Sequence, residues 1–168
     1  MKRFLSLILL LLSCMLIFAS CAPEEEHSHI TTVGTRAYFY RKDADGRIYF
    51  DFEVIDVQGE SVTERAEKIL EAMKTPASEG AYIALPEYVY VTSIQEKGSG
   101  LIIDFSESYK YLDADQRLVA MVAVSRSLLS DSDIVYISIT CKGEPQPPFY
   151  SGYINRNTFI FDDKVFMN

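Results

Sequence analysis

The 168-residue sequence predicts an α+β domain, a mixed β-sheet with two helices packed on one face, in the order strand, strand, helix, strand, strand, helix, strand. Short stretches in which apolar and polar residues alternate at every second position mark the strands. Two longer stretches with apolar residues three and four apart, each opened by a capping signature, mark the helices. Each helix carries a single apolar stripe, and that stripe must be buried against the sheet.

AYFYR at 37–41 is a short aromatic strand and DADG at 43–46 a turn. RIYFDFEVI at 47–55 is a second strand, in which Ile48, Phe50, Phe52 and Val54 alternate with Tyr49, Asp51 and Glu53. These two make a hairpin. Ser61 and Glu64 form an S-x-x-E capping box, after which Val62, Ala66, Ile69, Leu70 and Met73 keep helical spacing until Pro76 forbids continuation. Past a loop through Leu85 and Pro86, YVYVTSIQ and LIIDFSE make a second hairpin around Lys97 to Gly100, with Leu101, Ile103 and Phe105 on one face. Asp113 and Gln116 supply a D-x-x-Q start for a second helix running to about Ser130. Its stripe of Leu118, Met121, Val122, Leu128 and Leu129 is widened by Val119 and Ala123, which predicts the more buried of the two helices. Ile134 to Cys141 is the fifth strand, GEPQPP closes the regular part, and TFIF at 158–161 is read as one more edge strand.

Ahead of this domain, Lys2 and Arg3 precede an almost unbroken apolar run from Phe4 to Phe18, the layout of a secretory signal over residues 1–20. An uncleaved anchor is the alternative, although the run falls short of the roughly 20 apolar residues that span a bilayer comfortably. The run ends FASC, which resembles the bacterial lipobox; by that resemblance Cys21 becomes the lipidated first residue. LLSC, ending at Cys14, is a rival, but cutting there leaves Met15 to Phe18 on the mature chain, whereas Cys21 is followed at once by polar residues. Residues 21–35 have few large apolar groups and read as a flexible tether, and residues 36–168 as a single domain with an aromatic C-terminal tail.

With Lys2 and Arg3 gone, 14 of the 16 basic residues remain against 24 acidic ones, a net charge of about −10. That balance excludes a nucleic-acid partner, which needs a basic face. Cys141 is the one possible free thiol of the domain and alternates with Val135, Ile137 and Ile139, the pattern of a small buried hydrophobe. EEEHSH in the tether has the composition of a metal site, but His27 and His29 are the chain's two histidines and no rigid element orients them. No metal and no cofactor are assigned.

AYFYR with its acidic following strand, SVTERAEKILEAMKTP, the loop SEGAYIALPE, GSGLIIDFSE, LVAMVAVSRSLL and IVYISITCKGEP resemble, in this order, the GerMN domain of bacterial sporulation and spore-germination lipoproteins. The most specific features are the Leu85-Pro86 loop, the strand end Asp104-Phe105-Ser106 and the Gly143 that follows the last strand. The resemblance implies a fold similar to ring-building motifs, which assemble rather than catalyse, and a non-catalytic interaction or assembly role in the cell envelope. It also implies an extracytoplasmic location on the membrane, with an envelope protein or cell-wall polymer as partner.

The chemistry of the residues points the same way. Ser106, Ser125 and Ser127 have no histidine within the domain to activate them. Asp104 and Glu107 flank one strand end and could face a cleft as acid and base; the plainer expectation is that they cap a turn or meet water. A carboxylate-dependent hydrolase is the weaker alternative. By alternation, Phe39, Phe50, Phe52, Leu101, Ile103 and Ile137 face the helices, which leaves Tyr38, Tyr40, Tyr49 and Tyr136 on the opposite face as a candidate binding platform for protein or glycan. The domain is expected to be monomeric or weakly self-associating.

Overall fold

The structure, a computed structural model, describes residues 32–146 and 152–158. The leader, Cys21, His27, His29 and the end of the TFIF segment lie outside the described residues. The chain runs β1 (Thr32–Lys42), β2 (Ile48–Val57), α1 (Val62–Ala72), β3 (Val91–Lys97), β4 (Gly100–Phe105), a 3₁₀ turn (Glu107–Tyr111), α2 (Ala114–Leu128), β5 (Tyr136–Cys141), β6 (Glu144–Pro145) and β7 (Ile154–Asn155). The class is α+β.

Both helices begin where their caps put them. Ser61 accepts from the Glu64 amide at 3.1 Å, while the Glu64 carboxylate reaches back to the Glu60 amide at 3.0 Å, one residue before the cap. Asp113 and Gln116 close a full capping box, Asp113 accepting from the Gln116 amide at 2.7 Å and Gln116 from the Asp113 amide at 3.3 Å.

The strands form two sheets rather than the one expected. β1 and β2 are an antiparallel pair; β3, β4, β5 and β6 form a second sheet, with β7 also beside β5. This larger sheet is mixed, because β4 and β5 run parallel through the α2 crossover while its other pairs are antiparallel. The free edge of β1 explains the split. The Tyr38 amide donates to Ser127 Oγ and the Arg36 amide to Ser130 Oγ, both at 2.8 Å, and Tyr40 exchanges two main-chain bonds with Tyr82. Ser127 of α2, Ser130 in the turn just past it and one loop residue thus satisfy an edge that another strand would otherwise have to cover.

Three boundaries move. β1 starts at Thr32, inside the stretch read as tether, because β2 runs on to Val57 and its extra residues pair with Thr32 and Thr35. GEPQPP does not simply close the regular part, since Glu144 and Pro145 pair with Cys141 and Thr140. A late edge strand is supplied at Ile154 and Asn155, ahead of the TFIF segment.

α2 is buried on nearly every side from Val119 to Ser125, which its wide stripe predicts. It packs mainly along β1 and also touches α1 and β5. Ala66, Ile69, Leu70 and Met73 of α1 close the same core against Leu101, Ile103, Phe105 and Ile137. Each large side chain so buried contributes about 1.5–3 kcal/mol. A buried ion pair interrupts this apolar interior: the Arg65 guanidinium meets the fully buried Asp131 at 2.7 Å and the more exposed Asp133 at 2.6 Å, tying α1 to the turn between α2 and β5.

Candidate functional site

The four candidate tyrosines do not share a face. The register pairs Tyr38 with Phe52 and Tyr40 with Phe50, whereas Tyr49 stands opposite Arg41. Directly paired residues lie on the same side of an antiparallel pair, so Tyr38 and Tyr40 lie with Phe50 and Phe52, and Tyr49 lies on the other side with Phe39. Tyr38 is buried at 6% exposure, with the Arg126 guanidinium 4.5 Å from its ring centre and the Phe52 ring 5.5 Å away. Tyr40 is half-buried and stacks on the exposed Tyr82 at 5.2 Å. Burial, with the neighbouring Tyr82 phenol, raises the Tyr40 pKa above its ordinary value.

Tyr136 belongs to the other sheet. Its ring covers Gly100, where an added Cβ would collide with it, its hydroxyl donates to the Lys97 carbonyl, and Tyr153 packs edge-on against it at 4.9 Å. The tyrosines therefore divide into a buried support, Tyr38, the half-buried Tyr49 on the other side of the hairpin, and two separate pairs, half-buried Tyr40 with exposed Tyr82 and half-buried Tyr136 with exposed Tyr153.

The Asp104 corner has a definite structural job. One carboxylate oxygen accepts from Thr140 Oγ1 at 2.6 Å and from the Gly143 amide at 2.8 Å; the other accepts from Thr92 Oγ1 at 2.8 Å. Asp104 so joins β3, β4, β5 and the turn into β6. In that turn Lys142 and Gly143 both have positive φ, 54° and 76°, the pattern of a two-residue type I′ hairpin, which glycine adopts without strain. Burial pushes the Asp104 pKa up, but the hydrogen bonds from Thr140, Gly143, Thr92 and the Lys142 main chain outweigh it and hold the carboxyl below its ordinary range. Glu107 is exposed and paired with Lys142 at 2.7 Å. That hydrogen bond and the ammonium charge lower the Glu107 pKa and raise that of Lys142.

The serines are equally occupied. Ser125 and Ser127 are buried and donate to the Met121 and Ala123 carbonyls of their own helix, at 2.6 and 2.7 Å. Ser106 accepts from the Tyr90 amide at 3.3 Å. Cys141 is buried with its thiol toward the Ser106 carbonyl, and burial pushes that thiol up, away from thiolate chemistry. Among the described residues no cluster of three or more potential metal ligands occurs.

A feature not anticipated from sequence is an open groove of about 480 Å³ over the outward face of the larger sheet. Ser93, Gln95, Asp104, Ser138 and Thr140 line its floor and Tyr153 its rim, so Asp104 does face a cleft, whereas Glu107 is not part of its lining. The polar residues of β3 and β5 lie at alternate positions, a pattern visible in the sequence, but the rim comes from a segment with no such signal.

Compared with solved structures, the chain is similar to the tandem GerMN domains of the sporulation protein GerM from Bacillus subtilis, with a TM-score of 0.50 and 18% identity over 79% of this chain. The fold is that of a GerMN domain. This chain spans 46% of that tandem structure, and 94% of the structure of the first GerMN domain alone, again with a TM-score of 0.50 and 18% identity, over 76% of this chain. A Clostridium perfringens chain described as a candidate lipoprotein has a TM-score of 0.47 and 14% identity over 73% of this chain and 86% of its own. No protein-family model matches the sequence, and no curated protein matches it. In the GerMN fold seen here, the residues that carried the resemblance, Asp104 and Gly143, are hydrogen-bonded to each other.

Proposed function

We propose that the chain is an extracytoplasmic lipoprotein held on the bacterial membrane by lipidated Cys21, whose domain is a non-catalytic interaction module of the cell envelope in sporulation or germination. The observation that carries this reading is the Asp104 corner. The best candidate acid and base of the sequence are engaged in holding a turn and in a surface ion pair, so the domain offers surfaces rather than an activated group. The setting is supported by likeness of fold to a domain of a sporulation protein. Anchoring is supported by Lys2 and Arg3, the apolar run behind them and FASC. Among the described residues no helix is long and apolar enough to cross a membrane.

A short tether confines the domain near the membrane and raises its effective concentration for envelope partners, so weak contacts suffice for a monomeric or weakly self-associating module. Tyr40 with Tyr82, and Tyr136 with Tyr153, are the aromatic contact points proposed for an envelope protein. Acyl labelling with membrane fractionation tests the anchor. Cys21→Ser is expected to lose both label and membrane retention, and Cys14→Ser to keep both; a labelled Cys21→Ser protein contradicts the assignment.

A second reading, a glycan- or peptidoglycan-binding lipoprotein, is favoured by one observation, the groove lined by hydroxyls, an amide and the Asp104 carboxylate with an exposed aromatic rim. It predicts saturable binding of purified cell-wall fragments that Tyr153→Ala abolishes.

A further inference from the structure

β3 is an outer strand of the larger sheet, with β4 on one side and no strand of the described residues on the other. Lys97 and Gly100 close a two-residue turn and so exchange main-chain bonds; by alternation Gln95 does the same with Ile102, and Ser93 with Asp104. The main-chain N–H and C=O groups of Ile94 and Glu96 therefore point away from β4, and no described residue bonds to them. The edge of β1 is closed by Ser127, Ser130 and Tyr82, whereas that of β3 is left open. An open edge is a template for one more strand.

A groove follows the same edge. α1 packs beside β3, and an open space of about 240 Å³ lies between them. Leu70 of α1, Leu85 and Tyr90 of the connecting loop, and Val91 and Ile94 of β3 give it an apolar lining. It is smaller than the pockets of about 300–1,000 Å³ that enclose a small-molecule ligand, a size suited to single side chains. Ile94 is paired with Ile103 and Glu96 with Leu101, whose side chains belong to the core face, so Ile94 and Glu96 lie on the side that carries the helices. A strand laid about 4.8 Å from β3 would turn every second side chain to that side, toward α1.

The rim of the groove is acidic. Glu67 and Glu71 line it from α1, with Lys74 just past the end of the helix. Lys74 is held by Glu71 at 2.6 Å, whereas the exposed Glu67 and Glu96 have no ion-pair partner among the described residues. What would complement this edge is a main-chain ladder, an aliphatic side chain opposite Ile94 and a basic one opposite Glu96, within reach of the rim. An extended peptide that alternates basic and aliphatic residues on one face supplies all three.

We propose that the free edge of β3 takes up an extended segment of a partner protein as an added strand, with an aliphatic side chain in the groove beside α1 and basic side chains against Glu96 and Glu67. The site rests on the reading of the domain as an interaction module and gives it a second contact surface. It uses neither the tyrosine pairs nor Cys21, so its failure would leave those assignments untouched, and their failure would not touch it.

The probe is the peptide acetyl-Thr-Lys-Thr-Val-Thr-Lys-Thr-amide, whose sequence reads the same in both directions and so serves either strand direction. It is titrated into the isotope-labelled full chain in neutral detergent and followed by amide NMR shifts and hydrogen exchange. Saturable shifts over residues 91–97 and 67–74 are expected, with slowed exchange of the Ile94 and Glu96 amides. N-methyl groups on the valine and on the threonine after it remove a ladder donor in either direction and should weaken binding about tenfold or more. Glutamate in place of both lysines should weaken it as well. Glu67 is exposed, so Glu67→Lys should keep the wild-type melting temperature and lose affinity about threefold or more. Shifts that never saturate, or a methylated peptide within about twofold of the parent, would overturn the proposal. So would Ile94 and Glu96 amides already protected in the free monomer, which would mean that a segment of this chain fills the edge. Protection that rises with protein concentration would overturn it too, giving the edge to a second copy.

Discussion

Replacing Asp104 by alanine removes the acceptor of three hydrogen bonds, from Thr140 Oγ1, the Gly143 amide and Thr92 Oγ1. A hydrogen bond to a charged group contributes about 1.5–3 kcal/mol net where water cannot replace it. Thr92 and the Lys142–Gly143 turn are exposed, and water takes over their bonds at little cost. Thr140 is 6% exposed and keeps a weak alternative at 3.5 Å, the Ile103 carbonyl. The expected loss is therefore that of one buried charged bond plus part of a turn, about 2–3 kcal/mol. For a domain of this size that is a fall in melting temperature of roughly 8 °C. Asp104→Asn keeps one acceptor and should lose about half as much.

The assay is urea unfolding of residues 22–168 for all three proteins, repeated down the pH scale. The folded-state pKa of Asp104 lies below its unfolded value, so its stabilisation is complete above the unfolded value of about 3.9 and disappears as pH falls through the folded one. The gap between wild type and Asp104→Ala should accordingly close in acid below about pH 4. An Asp104→Ala midpoint equal to wild type at neutral pH would refute the reasoning and return the carboxylate to solvent or to catalysis.

Asp131→Ala leaves the 3%-exposed Arg65 with Asp133 alone and should cost about 3–5 kcal/mol in the same assay, a value below about 1 kcal/mol counting against the buried pair. Ser127→Ala strands the Tyr38 amide at the edge of β1; that amide should exchange hydrogen faster, with a stability loss of about 1–3 kcal/mol, and unchanged protection would mean that something else closes the edge. Val122→Asp places an unpaired charge at a fully buried position of α2 and should abolish the cooperative thermal transition, whereas a normal melt would put Val122 on the wrong face of the helix.

Local signals in the sequence were specific enough to locate both helices, since Ser61 and Asp113 each bond to the amide three residues on. The burial of Met121, Val122 and Leu128 follows equally from spacing. Register was not legible. Alternation separates Tyr38 from Phe39 within β1, but which of them joins Phe50 depends on the length of the turn from Asp43 to Arg47 and on the pairing it imposes. The division into two sheets depends on Ser127 and Ser130, whose hydroxyls replace a strand in a way that no residue pattern announces. Leu70, Leu85 and Ile94 belong to a helix, a loop and a strand, and tertiary packing alone brings them to one groove. Asp104 and Gly143 were marked by resemblance, and the bond between them supplies the physical reason.

Proximity labelling in intact cells, with the labelling enzyme fused after Asn168, tests most directly whether the protein acts as an anchored interaction module. Wild type should label a restricted set of envelope neighbours, and Cys21→Ser should lose that set while its domain stays folded. An identical neighbour set from the two proteins, or the cellular role fully supported by the unanchored domain, would contradict the account.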